Sequence, residues 1–154
     1  MERDHDDTKC WWWKHLWKIL GPLKMLITLW LVLNNKLLTW EVLLKRGLQG
    51  PGIFLLWKAY TETTSHLFYS CAYASTLWCN TISILDSASI VDSDSSLELK
   101  FRNWWNNERV HSHASLPALY VYKIWEATNK AVFSNIWMPT KITCKLLLQK
   151  LMEH

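Results

Sequence analysis

The sequence predicts an all-α protein: a small irregular helical domain followed by C-terminal helices. Three observations carry this. Apolar residues recur at helical spacing in several separate windows. No set of segments alternates apolar and polar residues as half-buried strands do. Glycine and proline fall at the edges of the windows rather than inside them, at 21–22, 47–52, 117 and 139.

Gly21-Pro22 opens the first clear helix, with proline at the first helical position. Leu23, Leu26, Ile27, Trp30 and Leu33 make one apolar face; Met25, Leu29 and Val32 widen it, so this helix is expected to be central. Asn34-Asn35 ends it. Its apolar core, residues 25–33, is fenced by Lys24 and Lys36. It is far shorter than the roughly 20 residues a membrane span needs, so it reads as a buried helix. A short second helix follows, with Thr39 as cap, Glu41 in its first turn and Gly47 at its C-terminus. Residues 47–52, four of them Gly or Pro, form a loop. The stretch 53–71 opens extended and apolar and turns polar at 61–65. From 72 to 85 the pattern is helical, with Leu77, Trp78, Ile82 and Leu85 facing inward.

Residues 86–96, rich in Ser and Asp, are a polar linker and the one internal boundary. They divide a domain at 11–85 from a helical extension at 97–154. The extension carries three helical windows, about 97–108, 117–134 and 141–153. Pro117 opens the second, whose inner face is Tyr120, Ile124, Ala127 and Ala131. Cys144, Leu147, Leu148 and Leu151 repeat at helical spacing in the third.

The 154 residues suffice for one core. Twelve are tryptophan, and the runs at 11–13 and 104–105 cannot all face that core, so some indoles are expected at the surface. The formal charge of +4 permits contact with nucleic acid without arguing for it. It is uneven: residues 2–7 are acidic-rich and the chain from Lys100 onward is basic. RNA or DNA, if bound, is expected on the basic C-terminal half. Cys10, Cys71, Cys79 and Cys144 share no repeated spacing, which favours a reducing, intracellular setting over a disulfide framework. The acidic N-terminus does not read as a signal peptide.

Sequence signatures of catalysis are missing: no Gly-x-Gly-x-x-Gly, P-loop, Gly-x-Ser-x-Gly or His-Glu-x-x-His. Asp92 and Asp94 lie in the serine-rich linker and read as solvated loop residues. His111 and His113 lack nearby acidic or thiol partners and read as surface histidines. His66 and Cys71 stand in a His-x4-Cys pair, the spacing of the second half of a small zinc site. On spacing alone they read as a partly buried histidine and an inert core cysteine.

The surrounding residues extend that pattern. Trp17-Lys18, Pro22-Leu23-Lys24, Leu29-Trp30, Asn35-Lys36-Leu37-Leu38-Thr39 and Leu43-Leu44-Lys45-Arg46-Gly47 occur in order. Glu62-Thr63, His66-Leu67-Phe68 and Cys71 follow. Together they resemble the reverse-transcriptase zinc-binding domain of LINE-type plant retrotransposons. Residues 116–135 are similar to the helix that follows this domain and precedes RNase H in longer elements. The resemblance implies a zinc knuckle whose two leading cysteines fall on Phe54 and Trp57, leaving His66 and Cys71 as a vestigial half-site. A four-ligand structural zinc is worth roughly 10–16 kcal/mol. Burying Phe54 and Trp57 instead returns only roughly 1.5–3 kcal/mol each. The expectation is therefore a fold with a degenerate knuckle and no cofactor.

The resemblance also places the chain between a polymerase palm and an RNase H. Neither the Tyr-x-Asp-Asp of the first nor the carboxylate set of the second is present. The implied function is a non-catalytic remnant of a reverse transcriptase polyprotein with a residual nucleic-acid-associated role. The alternatives are a helical protein–protein interaction module using exposed tryptophans and a decayed reading frame without function.

Overall fold

The computed structural model describes residues 11–19, 21–37, 46–47, 66–85, 96–106, 113–134 and 136–153. They form helices α1 (Trp13–Leu16), α2 (Leu23–Leu33), α3 (Ala72–Ile84), α4 (Leu97–Asn106), α5 (Leu116–Phe133) and α6 (Thr140–Glu153), with a π-helical turn at His66–Ser70. No described residue is in a strand, and the all-α expectation holds. No described helix is long and apolar enough to cross a membrane. The short helix expected between Thr39 and Gly47 falls largely outside the described residues. Gly47 itself has φ +87°, the left-handed conformation a terminating glycine supplies. The polar stretch 86–95 also lies outside them.

Each boundary has a local cause. Pro22 sits one position earlier than expected, as the N-cap of α2 with ψ 138°, because its extended ψ precedes the first helical residue. At the other end Asn35 is left-handed (φ 53°). Lys36 N–H donates to Leu31 O and Asn35 N–H to Val32 O, a Schellman closure in which asparagine takes glycine's place. Ser96 caps α4, accepting from Leu99 N–H at 3.3 Å. Pro117 lies in the first turn of α5, where a missing N–H costs nothing.

One buried cluster joins helices from both sides of residues 86–96. The π-helical turn and α2 both pack on α5, and α6 packs on α3 and α5. At the centre Trp78 meets Tyr120 edge-on, with ring centroids 5.1 Å apart, and Trp104 at 5.8 Å. Phe101 closes the group.

The buried stripe of α2 is the widened part of the expected face rather than its centre. Met25, Thr28, Leu29 and Val32 face the core, while Leu23 is 66% exposed and Ile27 47%. Lys24 and Thr28 are the only polar residues of this helix, so its periodicity scarcely distinguishes one face from another. Packing against α5 makes the choice. It buries Thr28 because the hydroxyl donates to Lys24 O at 2.8 Å and is satisfied within the helix.

Tryptophan is divided between core and surface, as expected, with Trp12 buried and Trp13 exposed in the first run. Trp104 and Trp105 are both buried. Trp104 faces Trp78, and Trp105 faces outward onto Trp11 and His15, which cover it. Their indole N–H groups donate to the carbonyls of His113 and Ala114, at 3.0 and 2.9 Å. Among the described tryptophans, Trp13, Trp17 and Trp137 are the exposed ones.

Candidate functional site

The His66–Cys71 segment leaves α-helical geometry. His66–Ser70 forms a π-helical turn, whose defining hydrogen bonds join residues five apart. In an α-helix five steps of about 100° would carry the two positions to different faces; the wider π turn brings them closer to register. Cys71 then turns extended (φ −73°, ψ 152°) and becomes the N-cap of α3. Leu67 and Phe68, both fully buried, anchor the turn to the core.

Cys71 Sγ accepts from Ala74 N–H at 3.2 Å, as a serine or aspartate oxygen does at an ordinary N-cap. It also lies 3.6 Å from Leu67 O. This geometry serves structure, because the thiol is buried and holds the first turn of α3.

Two side chains from the second half hold this segment. The Tyr120 hydroxyl reaches Phe68 O at 2.7 Å and Ala74 O at 3.0 Å, tying the π turn and α3 to α5. Full burial, and then the nearby Cys71 and Cys79, push its phenol well above the usual range, so it is a neutral donor. Lys100 of α4 lies over the Tyr69 ring at 4.7 Å and the Trp78 ring at 5.3 Å. Burial lowers its pKa, partly offset by Cys79. Tyr73 makes a third tie: its hydroxyl donates to Met138 O at 2.9 Å and lies 2.6 Å from Thr143 Oγ1. Burial raises its pKa in spite of the Thr143 hydrogen bond. These ties were not legible in the sequence, where Tyr120 registers only as an inner-face residue of a helix.

Of the sequence-predicted positions, His66 opens the π turn and Cys71 follows it as the cap of α3; Phe54 and Trp57 lie outside the described residues. A phenyl ring and an indole carry no ligating atom, so the four-position pattern offers two donors, His66 and Cys71, where a closed tetrahedral zinc site takes four. That donor set does not fit a structural zinc. Among the described residues no group of three or more His, Cys, Asp or Glu could hold a metal ion. His113 is half-buried, and its Nδ1 has no hydrogen-bond partner. His111, Asp92 and Asp94 lie outside the described residues. Cys71, Cys79 and Cys144 form no disulfide.

A π turn held by core leucine and phenylalanine runs into a cysteine-capped helix of an all-α domain. Residues 2–78 match the family described as zinc-binding in reverse transcriptase, and the chain belongs to that family. The match ends inside α3, at the tryptophan that anchors the central aromatic cluster. No curated protein and no solved structure matches the chain.

Proposed function

We propose that this chain is a non-catalytic, nucleic-acid-associated domain derived from a reverse transcriptase polyprotein of a LINE-type plant element, acting without zinc. Membership of the zinc-binding family of reverse transcriptase is the observation that carries the reading. The Phe54 and Trp57 side chains support the loss of metal, since neither donates a lone pair to zinc. The partners of the buried titratable groups support a non-catalytic role. Tyr73 and Tyr120 spend their hydroxyls on backbone carbonyls, and Lys100 lies against two rings.

The charge distribution supports contact with a polyanion through the C-terminal half. Helix α6 exposes Lys141, Lys145 and Lys150 and carries a single acid, Glu153, which pairs with Lys150 at 3.0 Å. Lys141 and Lys145 are one helical turn apart. Titration of a fluorescein-labelled RNA with the full chain, repeated across salt concentrations, tests the reading. Binding that weakens linearly in log–log salt is expected. Absence of binding at low salt, in protein shown to be folded, contradicts it.

A further inference from the structure

Residues 12–18 wind as helical turns, with Leu16 N–H on Trp12 O at 2.9 Å and Trp17 N–H on Trp13 O at 3.4 Å. Trp12 and Leu16 are buried and fill the core side. Trp13 and Trp17, one turn apart on another side, are 46% and 63% exposed. Their rings meet edge to face, centroids 5.3 Å apart. Lys14 and Lys18 each follow a tryptophan by one position, about 100° round the turn, and both are exposed. A stripe of two indoles therefore runs beside a stripe of two ammonium groups. Nearby, the Arg102 guanidinium covers the Trp11 ring at 4.7 Å. Among the described residues no carboxylate pairs with Lys14, Lys18 or Arg102. The accumulated positive charge acts on His15, whose pKa is lowered by burial and then by Lys18 and Lys14.

Core packing does not account for the exposed pair, because Trp12, Leu16 and Ile19 already close the core from this segment. A membrane surface is a poor match, since α1 is four residues long and offers two apolar side chains, against the long apolar face of an interfacial helix. A ligand that alternates flat apolar faces with negative charges matches both stripes at once. We propose that Trp13, Trp17, Lys14 and Lys18 form a stacking platform for single-stranded nucleic acid, with bases on the indoles and phosphates on the ammonium groups. Single strands are specified because paired bases have no free face to offer. The proposal rests on the nucleic-acid reading above and places a contact site outside the basic C-terminal half.

The test is fluorescence anisotropy of the full chain with a labelled oligothymidylate of about 16 nucleotides and with a duplex of the same length. Trp13→Ala with Trp17→Ala is expected to weaken single-strand binding by about tenfold or more while leaving the salt slope unchanged. Lys14→Gln with Lys18→Gln is expected to flatten that slope by about 1.4. Ile84→Ala, exposed on another surface, is expected to bind as wild type. Melting curves matching wild type establish that the variants fold. Wild-type affinity in the tryptophan variant overturns the platform and leaves the nucleic-acid reading standing. A wild-type protein that binds neither probe overturns both. Duplex bound as tightly as single strand, or anionic phosphatidylserine vesicles bound more tightly than the oligonucleotide and released by the tryptophan changes, also overturns the platform.

Discussion

Tyr120→Phe removes one oxygen and with it the tie between α5 and the His66–Ser70 turn. The ring stays, so its edge-on contacts with Trp78 and Phe101 are kept. What is lost is a fully buried donor serving Phe68 O and Ala74 O. Ala74 lies inside α3, where the helix supplies a donor; the Phe68 carbonyl, in the π turn, bears the loss. A buried acceptor stripped of its donor costs about 1–3 kcal/mol. For a chain of this size each kcal/mol moves the melting temperature by about 2–4 °C, so a drop of about 2–12 °C is expected. Because burial keeps the phenol protonated, the drop should be the same at neutral and mildly alkaline pH. Thermal melts followed by circular dichroism give the size of the effect. Amide exchange gives its place: protection should fall first over residues 67–75. Met152→Ala, at a strongly exposed position, should stay within about 0.5 kcal/mol of wild type. A Tyr120→Phe melt within about 1 °C of wild type, below the shift worked out here, would refute the claim that this hydroxyl holds the turn.

Two further outcomes follow from the same packing. Leu29→Ala should cost about 2–5 kcal/mol, since Leu29 is fully buried against α5, whereas Leu23→Ala should fall within about 0.5 kcal/mol. Equal losses in urea unfolding would restore the face expected from sequence. His15 gives a pH dependence. Its folded-state pKa lies below the ordinary 6.5, by burial first and then by Lys18 and Lys14. Acid therefore favours the unfolded chain, in which the imidazole protonates more readily. Its contribution is intact above about pH 6.5 and is lost as pH falls through the lower folded value. The loss should be small, because the ring is only partly buried, and should shrink in salt. His15→Gln should flatten this part of the stability–pH curve, and an unchanged slope between the two proteins would count against the assignment.

The helices were legible because capping and punctuation residues stand where the windows end. Pro117 and Asn34-Asn35 each mark a boundary that backbone chemistry requires. The inward face of α3 was legible for the same kind of reason: Ser, Thr and Asn break its apolar pattern, so Leu77, Trp78 and Ile82 stand out. Helix α2 shows the limit. With apolar residues nearly all round, its buried stripe is decided by what α5 presents, and pattern alone favoured Leu23 and Ile27. The start of α3 at residue 72 followed from the helical pattern of 72–85. That Cys71 would cap α3 did not, because cysteine is an unusual N-cap and its sulfur takes a role ordinarily given to oxygen. Long-range ties such as Tyr120 to Phe68 carry no local signal at all.

The central proposal is that this member of the family carries Phe54 and Trp57 where two zinc ligands are expected. Cobalt, a spectroscopic stand-in for zinc, tests it in one titration of wild type and of the Phe54→Cys, Trp57→Cys double variant. The changes complete a Cys-x2-Cys-x8-His-x4-Cys pattern with His66 and Cys71. The double variant is expected to show tetrahedral three-thiolate, one-imidazole absorption and a raised melting temperature, because a metal bound only by the folded state stabilises it. Either single variant should do much less, and the wild type should show no tetrahedral signal. A wild-type chain that binds one cobalt tetrahedrally contradicts the loss of the site; a folded double variant with no tetrahedral absorption contradicts the knuckle itself.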